Sequence, residues 1–298
     1  AEVQRAQVIP LLVKQIDGMV QKQGFQKVLA PLRSIVRPDH KLASYGAMMA
    51  VSDELDMFMC KAANFIGDNA EQGRASVHAL VNLFSYQTGL PLAVLDGVAI
   101  TNLKCAAITG YFTHIAAPDE ADTLAIIGAG VQAKQQFFGV AAVRPIKRVQ
   151  LFSRSPLKTV ILAKELAEAF PKVEFVVCDS IEEAQKGAQI LSTATSSKTP
   201  LVHKLDPACM HINCIGGHSH NSREVSRTIL DAATLLVEDR ATAVQEAGLE
   251  HSQALDLADD ASVFNHTLKS KLTLFSSTGH SSLDLLASWH VLGPLAEN

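Results

Sequence analysis

Residues 123–133, Thr-Leu-Ala-Ile-Ile-Gly-Ala-Gly-Val-Gln-Ala, constrain the fold more than any other stretch of the chain. A short apolar run, Leu124 to Ile127, leads into Gly128-Ala129-Gly130-Val131-Gln132-Ala133, the G-x-G-x-x-A form of a dinucleotide-binding turn. Gly128 permits the tight turn, and Gly130 lets the backbone come close to a pyrophosphate. Ala133 is small enough for the following helix to pack on the strand, and the helix N-terminus faces the negative charge. Six residues of this kind are weak evidence alone. Their place between a strand-like and a helix-like run is the context that gives them meaning.

Around this turn, strands and helices alternate, which predicts a parallel sheet. Strands are expected at 123–127, 147–152, 173–178, 189–194, 211–215 and 234–238. Helices are expected from about Val131 to Val143 and from Leu157 to Phe170, with Pro156 near the first turn of the latter. The first 115 residues read differently. Val8 to Val20 is an amphipathic helix by spacing. Arg33 to Val36 and Ala79 to Ser85 are strand-like, Gln87-Thr88-Gly89-Leu90-Pro91 reads as a hairpin turn into Leu92-Ala93-Val94-Leu95, and Thr101 to Ile115 is helix-like. Ala117-Pro118-Asp119 is a plausible hinge. The tail, Leu272 to Leu292, is apolar at helical spacing. The expected fold class is α/β: a Rossmann dinucleotide-binding domain over 118–269, plus a smaller α+β substrate and dimerisation domain over 1–117, joined by 270–298.

The second strand ends Val149-Gln150-Leu151-Phe152 and is followed by Ser153-Arg154-Ser155. An NAD-specific turn usually offers a carboxylate here to the ribose 2′-hydroxyl. A guanidinium can instead stack on adenine and pair with a 2′-phosphate, so NADPH is the favoured cofactor and NADH the second choice. Asp179, after the third strand, is a further candidate on the adenine side. Thr193, Thr195 and Ile215 stand at or just after the carboxyl ends of predicted strands, where such sheets bind ligands.

Composition excludes several other classes. The 298 residues are 48% hydrophobic and 19% charged, with a net charge of −4, and no basic run offers a nucleic-acid footprint. No apolar run reaches the roughly 18–20 residues that span a bilayer, and none at the N-terminus reads as a signal sequence. The cysteines are Cys60, Cys105, Cys178, Cys209 and Cys214, an odd number with no C-x-x-C pair. They read as free thiols of a cytoplasmic protein, without a disulfide framework or structural zinc.

Four stretches resemble the ornithine cyclodeaminase and mu-crystallin family. They are Gly89-Leu90-Pro91-Leu92-Ala93-Val94-Leu95-Asp96-Gly97 with Ile100 to Ala107, Ile127 to Ala133 with its Gln after the second Gly, Phe152 to Ser155, and His211-Ile212-Asn213-Cys214-Ile215-Gly216-Gly217. The resemblance covers most of residues 30–290. It implies a homodimer with a cofactor domain and a substrate domain, and a small-molecule substrate. Family members include cyclodeaminases, alanine dehydrogenases, reductases of cyclic ketimine acids, and an NADPH-binding crystallin.

Carried over residue by residue, the resemblance assigns Arg33 and Lys61 to the substrate, Arg33 by gripping its carboxylate. Lys104 stands where most relatives have Arg, so the charge survives but the planar fork does not. Thr278, in Ser277-Thr278-Gly279, matches a loop near the nicotinamide. His78 is a proton-donor candidate, or a satisfied structural histidine. His218 replaces the aspartate that cyclodeaminases carry after the paired glycines, which argues against that lyase chemistry. Lys61, His78 and His218 are thus the candidate catalytic residues. His218-x-His220 has no third ligand of convincing spacing, so no metal is expected. Asp284 matches a family acidic position, and helix packing or capping is the preferred reading of it. The expected activity is NAD(P)H-dependent reduction of a small cyclic ketimine carboxylate, Δ1-pyrroline-2-carboxylate or Δ1-piperideine-2-carboxylate. The alternatives are an alanine dehydrogenase-like enzyme, an ornithine cyclodeaminase, and a non-catalytic crystallin-type protein.

Overall fold

The structure is a computed structural model that describes residues 2–40, 42–216 and 222–296. His218 and His220 lie outside the described residues. The chain forms two compact units. One comprises residues 1–22 and 105–279, the other residues 23–104 and 280–298. This division departs from the boundaries expected at 117 and 270. The N-terminal helix α1 (Glu2–Gln21) belongs to the dinucleotide-type unit, and the boundary falls within helix α2 (Gly97–Ala116). The physical reason is visible in α1: Leu12, Val13, Ile16 and Val20 form a buried stripe, and the helix packs on α3 of that unit (Val131–Ala141).

The smaller unit is a five-stranded antiparallel sheet in the order β1 (Ser34–Val36), β2 (Ala43–Ser52), β3 (Met57–Ile66), β4 (Val77–Ser85), β5 (Pro91–Asp96). Strands β4 and β5 form the expected hairpin. Strands β2 and β3 are additions to the expected set. Their two faces differ in burial, as alternation requires. Ala50, Ser52, Met57, Met59, Val81 and Leu83 point to the inner face and are buried. Tyr45, Met49, Leu80 and Val94 point outward and are exposed. Helix α8 (Ser281–Ala296) packs on β2 and β3, and the Ser281 hydroxyl donates to the Met49 carbonyl at 2.8 Å.

The larger unit holds an eight-stranded sheet in which every pairing is parallel. Its elements run β6 (Thr123–Ile127), α3, β7 (Arg148–Phe152), α4 (Pro156–Ala169), β8 (Glu174–Val177), α5 (Ile181–Gln185), β9 (Ile190–Thr193), β10 (His211–Cys214), α6 (Arg227–Ala232), β11 (Thr234–Val237), α7 (Arg240–Ala247), β12 (Leu255–Asp256) and β13 (Thr273–Ser276). The spatial order is β12-β11-β13-β10-β9-β6-β7-β8. Six strands fall within a residue or two of their expected positions. The tail does not: Thr273–Ser276 is a fully buried strand between β11 and β10, and the terminal helix starts only at Ser281. An apolar run buried on both faces carries no period that separates strand from helix.

Candidate active site

The carboxyl ends of all eight parallel strands lie on one edge, and β6 is where the strand order reverses. Gly128 follows β6 with φ of 126°, a conformation that favours glycine. A Cβ there would lie 2.4 Å from the Ala194 carbonyl oxygen. Backbone bonds fix the turn from both sides: Gly128 N–H donates to the Phe152 carbonyl, and Ala194 N–H donates to the Ile127 carbonyl, each at 2.8 Å. Gly130 caps α3 with no side-chain bond, and a Cβ built on it meets nothing within 4 Å. The N-terminus of α3 therefore opens onto free space that a pyrophosphate can fill. Ala133 is fully buried against the strand, and Val131 is exposed.

On the β7 side, the Ser153 hydroxyl organises the turn. It lies 2.8 Å from Thr159 Oγ1, donates to the Ser155 carbonyl and accepts from the Ser155 N–H. Arg154 is left exposed at the tip. On the opposite side, Thr193 does not present its hydroxyl to a ligand; it donates to Glu224 at 2.7 Å. The Thr195 hydroxyl accepts from the Ser197 N–H, and Ile215 N–H continues the ladder to the Thr193 carbonyl. Glu238, just past β11, accepts from the Ser277 hydroxyl and from the N–H groups of Thr278 and Gly279, the last two at 3.2 Å. The Thr278 hydroxyl oxygen is buried and has no hydrogen-bond partner among the described residues. An orphaned buried oxygen at this edge, together with the open cradle at Gly130, fits a dinucleotide.

A second polar centre lies on the inner face of the antiparallel sheet, within the smaller unit. Lys61 is 4% exposed, Lys104 7% and Asp284 0%. Asp284 Oδ1 accepts from Lys61 Nζ at 2.8 Å, and Oδ2 accepts from Lys104 Nζ in a very short contact. Burial alone would raise the Asp284 carboxyl; the ammoniums of Lys104 and Lys61 overcome that and hold it below the usual carboxylate range. Thr101 donates its hydroxyl proton to the Gly97 carbonyl at 2.7 Å. Its oxygen is therefore an acceptor for Lys61, at 2.5 Å. Asp284 is thus a counter-ion to two cations, not a helix cap. Two ammoniums on one carboxylate leave one net positive charge among the three groups.

Arg33 immediately precedes β1. Ser34 pairs with Ala47 and Met48 with Lys61, so continued alternation places Arg33 in the row of Met48 and Lys61 on the inner face. That puts it two strand spacings, roughly 10 Å, from Lys61. His78 is not brought to this centre. It pairs with Asn64, and Val81 pairs with Lys61, so His78 lies on the opposite face of the sheet. It is exposed there, with Nε2 3.0 Å from the Ala75 carbonyl oxygen. Sequence reasoning also missed Glu224 and Glu238. Glu238 had a signal, a carboxylate directly after an apolar strand at the ligand-binding edge. Glu224 had none.

Fold and site together define a dinucleotide-dependent oxidoreductase built of two units. The chain belongs to the ornithine cyclodeaminase/mu-crystallin family, whose model matches residues 1–297. It is 30% identical over 230 residues to a Δ1-pyrroline-2-carboxylate reductase of Bacillus cereus, covering 77% of this chain and 70% of that one. It is 29% identical to the ketimine reductase mu-crystallin of Mus musculus, over 88% of this chain and 83% of that one. The solved structure of Thermococcus litoralis Δ1-pyrroline-2-carboxylate reductase, in complex with NADH and L-proline, superposes with a TM-score of 0.88 at 24% identity, covering 96% and 93% of the two chains.

Proposed function

We propose that this protein reduces a small cyclic ketimine carboxylate, Δ1-pyrroline-2-carboxylate or Δ1-piperideine-2-carboxylate, to L-proline or L-pipecolate. The observation that carries this reading is the buried cluster in which Lys61 and Lys104 converge on Asp284 at the inner face of the antiparallel sheet. Two ammoniums fixed side by side on a buried carboxylate make a locally electropositive site, and a substrate carboxylate suits that field. Arg33 adds a guanidinium from the same face, suited to holding a carboxylate through two parallel bonds. The names of the Bacillus cereus and mouse relatives support the same substrate class.

A reduced nicotinamide, when bound, supplies the hydride. Residues 128–133 would cradle its pyrophosphate, Ser153 to Ser155 its adenosine end, and Thr278 its nicotinamide end. Arg154 favours NADPH over NADH. The chain's own task is to bind, orient and protonate. Lys61, Lys104 and Arg33 hold the carboxylate, which fixes the adjacent C=N carbon. As hydride adds to that carbon, the nitrogen takes a proton, and an iminium accepts hydride far better than a neutral imine. Lys61 is the donor of choice: Asp284 and Thr101 fix its ammonium in place.

We read the protein as a homodimer. The outward face of the antiparallel sheet exposes Val36, Tyr45, Met49, Leu80 and Val94, a patch that a second copy would cover. Sedimentation equilibrium at micromolar concentration checks this reading, and a monomer would refute it.

The test of the activity is a substrate panel that follows NADPH oxidation. Both cyclic imino acids should react at least about a hundredfold faster, in kcat/KM, than pyruvate with ammonia. L-Ornithine should release no ammonia. Faster turnover of pyruvate with ammonia would make the protein an amino-acid dehydrogenase. Tight NADPH binding without any turnover would make it a binding protein.

A further inference from the structure

Glu224 is fully buried in the larger unit, yet it belongs to no strand or helix. Its carboxylate draws together three points of the chain. Oε1 accepts from the Thr195 N–H at 2.6 Å. Oε2 accepts from the Thr193 hydroxyl at 2.7 Å and from the Gly216 N–H at 2.8 Å. The main-chain carbonyl of the same residue accepts from the N–H groups of Leu201 and Val202, at 2.8 and 3.1 Å. The packing leaves no slack. A Cβ on Gly216 would lie 2.2 Å from the Thr195 carbonyl oxygen and 2.5 Å from the Glu224 carboxylate.

The segments tied in this way leave the carboxyl ends of β9 and β10. Those strands lie on the side of β6 away from β7. In a doubly wound sheet the dinucleotide lies across the reversal point. Its adenosine half goes to the β7 side, where Ser153 and Arg154 stand. Its nicotinamide half goes to the β9 and β10 side. We infer that Glu224 is a positioning residue for the nicotinamide half of the cofactor. By clamping the main chain at Thr195 and Gly216, it sets the floor against which the ring is held for hydride transfer. Its reach stops at β9 and β10, so the adenosine subsite is independent of it. This inference rests on the nicotinamide-cofactor reading given above.

The chemistry of the clamp selects the variant. Both Thr195 and Gly216 present N–H donors to opposite oxygens of one carboxylate. In Glu224→Gln the side-chain shape is kept, but the amide NH2 must face one of those donors, so one bond is lost. NADPH and NADH are titrated by fluorescence into the unsubstituted protein and the variant. The adenosine-half probes 2′,5′-ADP and 5′-ADP are titrated in parallel, and hydride transfer to Δ1-pyrroline-2-carboxylate is followed in a single turnover. Glu224→Gln is expected to slow hydride transfer at least about tenfold while the affinity of the preferred ADP probe stays within about twofold. Thr193→Val removes one contact without disturbing the carboxylate, and it keeps the test open if the Gln variant fails to fold. It should show the same pattern, about threefold in rate. Equal losses for the adenosine probe and for hydride transfer would overturn the inference, because the residue would then merely hold the unit together. Unchanged hydride transfer would overturn it too. Failure of the unsubstituted protein to bind any of the four nucleotides would sink the cofactor reading itself and this inference with it.

Discussion

At the carboxyl edge of the parallel sheet, the groups offered to a ligand are main-chain N–H groups, glycines and small hydroxyls. Carboxylates stay underneath, at Glu224 and Glu238, gripping the loops from below. On the inner face of the antiparallel sheet the arrangement is reversed. Long cationic side chains, Lys61 and Lys104, are buried and held by a carboxylate beneath them. The difference matches what the two proposed ligands would need. A pyrophosphate spreads its charge over several oxygens, and a row of backbone dipoles solvates it without burying any full charge. A small acid has one compact charge, and ammonium groups fixed by a counter-ion are the more selective trap. The two regions should therefore respond to mutation differently.

The largest expected effect breaks the cationic side alone. Lys61→Met, which keeps the apolar stem, should lower kcat/KM for the imino acid by about a thousandfold, ~4 kcal/mol of transition-state stabilisation. NADPH affinity, measured by fluorescence, should stay within about twofold. A parallel loss of cofactor affinity would erase the distinction drawn here.

A buried histidine in the parallel sheet gives a second contrast, now in pH. His211 Nδ1 lies 2.8 Å from Thr273 Oγ1 and Nε2 3.1 Å from Asn213 Oδ1. Burial lowers its pKa from 6.5 to about 3. The native imidazole thus stays neutral while the unfolded one takes up a proton below 6.5. Its share of the stability is complete above that value and is lost as the pH falls toward 3. Between pH 6.5 and 5 the loss is about 2 kcal/mol, at 1.36 kcal/mol per unit. Urea unfolding at both pH values should show at least this loss in the unsubstituted protein, since His114, His251 and His290 are lowered by burial too. His211→Gln should lack about one proton's worth of the slope.

Arg33→Ala should raise the KM for the imino acid at least about tenfold, ~1.4 kcal/mol, with unaltered thermal stability. An unchanged KM would remove Arg33 from the site. The smallest expected effect sharpens the comparison on the dinucleotide side. Arg154→Ala should weaken NADPH binding about fivefold, ~1 kcal/mol, and NADH binding less, since on the proposed reading the guanidinium would pair with the 2′-phosphate that NADH lacks.

The readable parts of the chain are those where a local rule applies. The turn at Gly128 and Gly130, the helix after it and the strand ending at Phe152 can be placed because glycine geometry and period act over a few residues. Strands β2 and β3 cannot. Ala47, Met49, Ala50, Met57 and Met59 put apolar side chains on both faces, so the two-residue alternation vanishes. Lys61 and Lys104 stand out in the sequence, but their partner does not. Asp284 lies 223 and 180 residues further along, and no local pattern reports a contact at that distance. His78 falls on the wrong side for a proton donor because one residue of register decides the face of a strand.

That separation also orders events during synthesis. A ribosome adding roughly 5–20 residues per second emits Lys104 and then works for about 10–40 s before Asp284 exists. Through that interval both ammoniums lack the carboxylate that permits their burial, so this corner of the sheet stays hydrated in the nascent chain. Closure waits for the last helix, and a message cut short before residue 284 would yield a sheet whose inner face cannot dry.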